Sequence, residues 1–333
     1  MTDVSTPAAT QWPITFEDAR AARARIAEFL QPTPLRAYPQ LGEVVGGDIQ
    51  IFVKHENHQP TNSFKIRNGL SFMTSLDADE RRRGVVAAST GNHGQGIAFG
   101  GKLLGVETTI CVPAGNNPDK NAAMRALGAT VFEEGRDYDE AVLVMQRLVT
   151  ERGCVMAHST NDPRIIAGAA TMTLEILEQE PSLDALVIAT GGGSQAVGAM
   201  TVARSLAPHL EVFGVQAAGA SAIHDSWHAG RRLTTPRADT FAEGVATRTT
   251  YDLTFPALRA GLAGFVTVTD AEIAESLRTI LSLTHNLVEG AGAMGLAGVP
   301  KLRDRLGGKR VGIVFCGGNV DLATLRRILA GEV

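Results

Sequence analysis

Short runs of consecutive apolar residues alternate along much of the chain with longer segments in which apolar residues recur every three or four positions. Over roughly residues 84–158 the apolar runs are GVVAAS, ETTICVP, ATVFEEG and CVMAHS, with helical segments between them. After residue 162 a helical segment at 164–179 precedes LDALVIAT, and the pattern continues through LEVFGVQA to KRVGIVFC and a last helix. Strands that alternate with helices predict βαβ units and parallel sheets. The sequence therefore predicts an α/β fold with two parallel sheets, one inserted into the other.

The remaining segments are less regular. A helix is predicted from about Phe16 to Leu30, with Thr15 as its N-cap and Asp18 three residues later, although a capping box prefers Glu or Gln there. IQIFVKHE predicts a strand, and a helix is predicted to begin near Ser63. Residues 218–267 show no clear period, and we expect them to be rich in loops.

Composition and charge narrow the classes of function. Of the 333 residues, 44% are hydrophobic and 20% are charged, as is typical of a globular protein with a substantial core. The net charge is −4 and the densest basic cluster is Arg81–Arg83, which argues against a nucleic-acid partner or an anionic membrane surface. The apolar runs are too short to span a bilayer, so no membrane partner is expected.

The amino terminus and the cysteines favour a cytoplasmic protein. MTDVSTPAATQWP has neither a basic start nor an apolar centre, so we expect a polar tail and not a signal peptide. Cys111, Cys154 and Cys316 are too widely spaced for a disulfide framework or a zinc site, which favours a reducing compartment. We therefore expect the cytoplasm as the location and no metal site.

One lysine has an unusual setting in TNSFKIRNG, residues 61–69. Most basic side chains of the chain are arginine, whereas Lys65 lies between Phe64 and Ile66. Three good helix-capping residues precede it: Thr61, Asn62 and Ser63. We therefore expect Lys65 in the first helical turn, where the helix dipole and partial burial both favour the neutral amine that attacks carbonyls. A surface lysine near a helix cap is the ordinary alternative.

Three further loops follow predicted strands: ASTGNHGQG (88–96), TGGGSQAVG (190–198) and FCGGN (315–319). The glycines of the second loop let backbone amides approach an anion closely, but no Gly-Lys-Ser/Thr follows, so the loop is not a P-loop. The loop also matches G-x-G-x-x-A, but the next strand contains Gln216 near its end and lacks the acid that a dinucleotide ribose needs. A phosphate monoester fits better than a dinucleotide.

An aldehyde that carries a phosphate would use all four loops. The amine of Lys65 would bind the aldehyde, and the glycine loop would hold the phosphate. Cys316 would face a ring nitrogen, and the Asn92 loop would hold a substrate carboxylate. Pyridoxal phosphate has these features.

The same motifs carry a family resemblance that covers nearly the whole chain, from PTPL at residues 32–35 to CGGN. TNSFKIRNG resembles T-G-S-F-K-x-R-G-A, and STGNHGQG resembles S-x-G-N-H-x-Q-G. GGGS matches a tetraglycine phosphate loop except at its fourth place, and EGAGA (289–293) and CGGN match as well. The chain thus resembles the fold-type II pyridoxal-phosphate enzymes, specifically the threonine/serine dehydratase and serine racemase family.

The resemblance implies a tryptophan synthase β-like fold. Residues 1–83 and 159–333 would form a large cofactor-binding domain, and residues 84–158 a small mobile domain. Lys65 would form the Schiff base with pyridoxal 5'-phosphate. The other implied cofactor-binding residues are Phe64, Asn92, Gly191, Gly192, Gly193, Ser194, Glu289 and Cys316. The residues implied to bind the substrate carboxylate are Ser89, Thr90, Gly91, Asn92 and His93. A homodimer is also expected.

The implied activity is that of a dehydratase, or ammonia-lyase, which converts a β-hydroxy amino acid such as threonine or serine to a 2-oxo acid and ammonia by β-elimination. Alternatives within the family are a serine or aspartate racemase and a dehydratase of a bulkier amino acid, phenylserine-like or hydroxyectoine-derived. Thr90 stands where serine racemases carry a serine, and its β-methyl group limits its rotamers, so we expect elimination to dominate. An NAD-dependent oxidoreductase and a catalytically silent binding protein are the more distant alternatives.

Several positions depart from the family pattern. Asn62 and Asn68 stand where glycines are usual, Ser194 replaces a glycine, and residues 168–171 read GAAT in place of GQGT. We expect these changes to reshape the pocket for an unusual substrate. Gln216 stands where some members have a glutamate of a divalent-cation site, which places metal activation in doubt. No regulatory domain follows residue 333, so allosteric inhibition of the biosynthetic threonine dehydratase type is not expected.

Overall fold

A six-stranded sheet and a four-stranded sheet form the framework of residues 12–333, the part of the chain that a computed structural model describes. The polar tail predicted at the amino terminus lies almost entirely outside these residues. The strands are β1 (Leu35–Ala37), β2 (Gln50–Lys54), β3 (Val85–Ala88), β4 (Thr108–Val112), β5 (Thr130–Glu133), β6 (Val155–Met156), β7 (Ala185–Ala189), β8 (Glu211–Ala217), β9 (Gly264–Val268) and β10 (Arg310–Val314).

Helices connect most of these strands, as the sequence pattern predicts. The α-helices are α1 (Phe16–Ile26), α2 (Pro39–Val45), α3 (Lys65–Thr74), α4 (Ala78–Arg83), α5 (Asn92–Leu104), α6 (Pro118–Ala126), α7 (Tyr138–Arg152), α8 (Pro163–Gln179), α9 (Ser194–Leu206), α10 (Ala222–Ala229), α11 (Thr254–Gly261), α12 (Asp270–Thr284), α13 (Gly290–Gly298), α14 (Arg303–Leu306) and α15 (Leu322–Ala330). Short 3₁₀ turns occur at Glu56–His58, Ala218–Ala220, Glu243–Val245 and Pro300–Leu302.

The six-stranded sheet has the order β1-β2-β10-β7-β8-β9. Its strands run parallel except β1, which pairs antiparallel with β2 at the edge. The predicted parallel sheet is therefore confirmed, and the short antiparallel edge strand β1 is an addition that the sequence pattern did not predict. The three residues of β1 follow two prolines, and such a short segment gives no period from which its direction could be read.

The four-stranded sheet has the order β5-β4-β3-β6, and all of its strands run parallel. Alternate residues of β3 enter two different cores: Val85 and Ala87 pack in one, and Val86 and Ala88 in the other. Because helices cover both faces, β3 and β4 are uniformly buried, which explains their continuous apolar sequence.

The chain passes from the larger sheet into the smaller one and back. It leaves the larger sheet after β2, builds the smaller sheet from β3 to β6, and returns at β7, while β10 completes the larger sheet between β2 and β7. This insertion is the α/β arrangement that the alternating pattern predicts. The domain boundaries at residues 84 and 158 remain a prediction.

Three local predictions needed correction. Helix α1 ends at Ile26, before residue 30, and Asp18 does complete a capping box with Thr15. The strand predicted at CVMAHS shrinks to the two residues of β6. The segment 218–267 is rich in loops over residues 230–253, as expected, but it also contains α10, α11 and most of the edge strand β9. Within residues 12–333, no helix has the length and apolarity needed to cross a membrane.

Candidate active site

A cavity of about 600 Å³ opens at the carboxyl ends of strands from both sheets. Loops that follow β3, β7 and β10 form its walls together with the start of α3, as expected for ligand sites in parallel sheets. All the candidate residues line this cavity: Phe64, Lys65, Ser89, Thr90, Gly91, Asn92, His93, Gly191, Gly192, Gly193, Ser194, Glu289 and Cys316. The sequence motifs therefore meet in one place.

Lys65 is the first residue of α3, in the first helical turn as predicted. The predicted capping is wrong in detail, because Phe64 occupies the N-cap position and forms no side-chain cap. Burial lowers the pKa of the Lys65 amine to about 8, although Cys316 and Glu289 act in the opposite direction. Its Nζ donates a hydrogen bond to the carbonyl of Ser159 at 3.3 Å. The side chain thus presents an amine that is partly neutral near physiological pH.

Backbone contacts fix the turn that carries Lys65. The amide of Phe64 donates to the carbonyl of Cys316 at 3.0 Å, and Ser63 forms a bridge with Gly317. Asn62 adopts a φ of 52°, in the left-handed region that asparagine tolerates better than most residues. The lysine and the Cys316 loop are therefore held together, and the asparagine that replaces a usual glycine has a backbone reason.

The glycine loop fits an anion. A Cβ atom at Gly192 would overlap the side chain of Thr160, and one at Gly191 would lie 2.9 Å from the carbonyl of Gly244. Helix α9 begins directly after the loop and has no side-chain cap, so its first backbone amides remain available to a ligand. The glycines thus let the loop pack closely against Thr160 and Gly244, and the free N–H groups at the start of α9 suit an anion such as a phosphate.

The loop after β3 is folded around a serine. Ser89 Oγ accepts hydrogen bonds from the amides of Gly91 at 3.1 Å and Gly94 at 2.9 Å. His93 donates from Nε2 to the carbonyl of Ala157, and burial lowers the pKa of its imidazole to about 3, so the ring is neutral. The loop leads into the amino terminus of α5, where backbone amides favour a carboxylate.

The side chain of Asn92 already has protein partners on both of its polar atoms. Its Nδ2 donates to the two carboxylate oxygens of Glu289 at 2.8 and 3.0 Å, and its Oδ1 accepts from Asn319 at 2.7 Å. Burial raises the pKa of Glu289. The family resemblance implies that Asn92 lies beside the cofactor ring, but in this structure its side-chain amide group donates to the Glu289 carboxyl group.

Cys316 lies just beyond β10, fully within the cavity wall. Burial, reinforced by Glu289, raises the pKa of its thiol, so the thiol is neutral. A ring nitrogen placed here would meet a neutral group and no carboxylate counter-ion.

Two of the departures from the family pattern touch each other and not the cavity. Asn68 is fully buried in α3, and a Cβ atom on Gly168 would lie 2.8 Å from the Asn68 Cα atom. Neither Asn68 nor residues 168–171 line the cavity, so the expectation that they reshape the pocket was wrong.

Gln216, the position considered for a divalent-cation site, accepts a hydrogen bond from the amide of His224 at 2.9 Å. Among residues 12–333, no group of three or more His, Cys, Asp or Glu side chains is arranged to hold a metal ion.

Sequence reasoning missed several polar residues of the cavity wall. Tyr138 and Ser159 are joined by a hydrogen bond of 3.3 Å, and Lys120 pairs with Glu243 at 2.5 Å. Ser159 lay in a stretch predicted to be strand, and Glu243 in the segment without a clear period. They meet through long-range contacts that no local spacing reports.

Comparisons with known proteins agree with this geometry. The family model for "Pyridoxal-phosphate dependent enzyme" matches residues 26–317. L-threonine ammonia-lyase of Thermotoga maritima is 37% identical over 95% of this chain and 78% of its own length. L-threo-3-hydroxyaspartate ammonia-lyase of a Pseudomonas species is 34% identical over 95% of this chain and 99% of its own length. The structure of maize serine racemase superposes with a TM-score of 0.90 at 28% identity, covering 96% of this chain and 98% of that one.

The matched region contains Lys65, the glycine loop and Cys316, which together line the cavity. The chain belongs to the family of pyridoxal-phosphate dependent enzymes.

Proposed function

We propose that this protein is a pyridoxal-phosphate dependent ammonia-lyase that converts a β-hydroxy amino acid of the threonine or serine type to a 2-oxo acid and ammonia by β-elimination. The observation that carries the proposal is the half-buried Lys65 side chain, which lies in one cavity with the glycine loop and the start of α5. Two relatives in the same family bear the name ammonia-lyase, one for L-threonine and one for L-threo-3-hydroxyaspartate.

The residues of the cavity fit the cofactor. Lys65 would hold its aldehyde carbon, the loop at 191–194 would bind its phosphate through backbone amides, and Cys316 would lie at its ring nitrogen. Bound pyridoxal phosphate supplies an electron sink for the negative charge that develops at the substrate Cα atom. A neutral thiol at the ring nitrogen leaves that sink weaker than a carboxylate would, which favours prompt loss of the β-hydroxyl group.

Lys65 would also act as the base. Once its amine is free, the neutral form takes the proton from the substrate Cα atom, and burial keeps that form populated near pH 8. The loop at Ser89–His93 and the amino terminus of α5 would orient the substrate through its carboxylate. Cleavage of the bond from Cβ to the hydroxyl oxygen, with a proton equivalent to the one taken from Cα passing to that oxygen, would release water. The enamine that remains would then take up water and give the 2-oxo acid and ammonia.

Two experiments test this function. The purified protein is screened with L-threonine, L-serine, L-threo-3-hydroxyaspartate and bulkier β-hydroxy amino acids for 2-oxo acid formation. Borohydride reduction followed by peptide mass spectrometry should place the cofactor on the peptide that contains Lys65. A label on Lys54, which is fully buried and bonded to Glu175 at 2.7 Å, would contradict the assignment, and an oxidoreductase would lack the cofactor's visible absorbance altogether.

Racemisation is the second candidate, because Thr90 lines the cavity and a structural relative is a serine racemase. We expect elimination to be faster, since the β-methyl group of threonine restricts the hydroxyl. Chiral chromatography of the remaining substrate, run beside the 2-oxo acid assay, separates the two. If the D-epimer forms faster than the 2-oxo acid and Thr90→Ala stops only the epimer, the protein is a racemase.

The three cysteines are free thiols, which suits the reducing cytoplasm. We propose a homodimer. Light scattering of the protein as it elutes from a size-exclusion column measures the molar mass that tests this. We also propose that residues 84–158 move as a small domain over the substrate.

A further inference from the structure

The free Lys65 amine, which carries no covalent bond to a ligand, has a defined hydrogen-bond partner. Its Nζ donates to the backbone carbonyl of Ser159 at 3.3 Å and lies 5.0 Å from the centroid of the Phe64 ring. A neutral amine that donates one N–H to this carbonyl keeps its lone pair directed elsewhere. The contact therefore orients the amine as well as holding it.

Ser159 belongs to a loop that is fixed by its own hydrogen bonds. His158 accepts through Nδ1 from the amides of Thr160 at 3.0 Å and Asn161 at 2.8 Å. Asn161 Oδ1 in turn accepts from the amide of Leu253 at 2.9 Å. The loop connects β6 of the smaller sheet with α8, so its shape depends on contacts from both parts of the fold.

The side chain of Tyr138, which is packed against the smaller sheet, contacts this loop at Ser159. Tyr138 is the first residue of α7, it is half-buried, and its hydroxyl lies 3.3 Å from Ser159 Oγ. Helix α7 packs on β3 and β4, so the tyrosine is anchored in the core of the smaller sheet. A displacement of Tyr138 would be passed to the Ser159 carbonyl and hence to the Lys65 amine.

We propose that Tyr138 is a positioning residue, which holds the Ser159 carbonyl in place so that this carbonyl orients the free amine of Lys65. The inference rests on the proposed role of Lys65 as the base. A carbonyl that accepts from the amine stabilises the ammonium form more than the neutral form, because the ammonium is the stronger donor. When the carbonyl is no longer held, the amine loses orientation and binds its proton less tightly.

The first test compares Tyr138→Phe with wild type in the holoenzyme, using the β-hydroxy amino acid that is turned over fastest. We expect kcat to fall about fivefold, the size of one neutral hydrogen bond. The rising limb of kcat against pH should move to lower pH, because the ammonium form has lost a partner. If the plateau of kcat falls but the rising limb stays at the same pH, Tyr138 has only a structural role, and the proposal is overturned.

The second test does not depend on turnover. The full-length chain is freed of cofactor with hydroxylamine, checked for its fold by circular dichroism, and labelled with acetic anhydride over a range of pH. The rate at which the Lys65 peptide is acetylated then reports the titration of its amine. The labelling midpoint of Tyr138→Phe should lie below that of wild type, and equal midpoints would overturn the proposal even if no substrate were found.

Tyr38→Phe is the matched control. It removes a tyrosine hydroxyl that lies 3.0 Å from His55 Nε2, outside the cavity, so it should leave the Lys65 midpoint unchanged. Ser159→Ala removes the partner of Tyr138 but keeps the carbonyl. If the two hydroxyls act as one unit, the double variant should be no worse than either single variant, whereas additive effects would contradict the coupling.

Discussion

The chemistry that we propose for this site depends on the protonation state of a single amine. Burial lowers the pKa of Lys65 to about 8, well below the ordinary range of a lysine. A base must be neutral, and the neutral fraction rises as pH increases through this pKa. We therefore predict that kcat rises about tenfold per pH unit below pH 8 and levels off above it.

The measurement is kcat at saturating substrate over the range from about pH 6 to pH 10, because kcat reports groups in the substrate complex. A rising limb centred near pH 10, where an exposed lysine titrates, would show that the amine is not the base or is not buried during turnover.

Gly192 should be intolerant of a side chain. A Cβ atom there would overlap Thr160, whereas the carbonyl of Gly192 is already fixed by the hydroxyl of Thr254 at 2.7 Å. We predict that Gly192→Val weakens cofactor retention by tenfold or more, roughly the cost of overpacking a tight site. Dialysis followed by absorbance of the bound cofactor measures this. Ala271→Val, at an exposed position of α12, is the control. Equal retention of the cofactor in both variants would contradict the assignment of this loop as the phosphate site.

At the scale of elements, β2, α3 and α8 are joined by four buried charges. Arg67 donates to Glu56 at 2.7 Å and to Glu175 at 2.7 Å, and Lys54 also donates to Glu175. All four side chains are at most 2% exposed. Because Arg67 lies two residues after Lys65, this cluster fixes the helix that carries the candidate base.

Removal of one partner from a buried ion cluster leaves the others uncompensated. We predict that Arg67→Met lowers the free energy of unfolding by about 3 to 5 kcal/mol. Arg82→Met breaks an exposed pair with Asp79, 2.9 Å long, and should cost no more than about 0.5 kcal/mol. Denaturant unfolding of both variants tests the difference, and a small loss for Arg67→Met would mean that water or a rearrangement replaces the guanidinium.

Elements with a strong period could be predicted from the sequence, and short or edge elements could not. Strands β3 and β4 are covered on both faces, so their apolar runs are continuous and easily recognised. Strand β9 has a mixed burial pattern at the sheet edge, and β1 has only three residues, so neither carries a readable period. The site motifs lie in loops rich in glycine and asparagine, which is why they could be found.

The contacts across the cavity could not be predicted from the sequence for a different reason. Asn92 and Glu289 are 197 positions apart, and Lys120 and Glu243 are 123 apart. No periodicity within an element encodes such a pair, because each partner obeys only its local structure. The sequence therefore pointed to residues of the cavity wall more readily than to the contacts that join the two sides of the cavity.

At the scale of the whole molecule, an ion pair crosses the mouth of the cavity. Lys120 lies in the first turn of α6 beside the smaller sheet, and Glu243 lies in a 3₁₀ turn that packs near the glycine loop. The ammonium and the carboxylate are 2.5 Å apart, with the lysine side chain 15% exposed and the glutamate 55%. Such a pair would resist separation of the two sides of the cavity.

Partly exposed ion pairs contribute little energy and are weakened by salt. We predict that Glu243→Gln speeds release of the cofactor to a hydroxylamine trap by up to about fivefold. In wild type, release should become faster as salt is added, whereas in Glu243→Gln it should hardly change. Lys301 pairs with Glu272 at the same 2.5 Å distance but outside the cavity, so Lys301→Met should release the cofactor like wild type at every salt concentration. If salt accelerates release equally in wild type and Glu243→Gln, some other charge holds the cavity closed. If Lys301→Met also speeds release, the effect comes from general stability and not from the pair at the mouth.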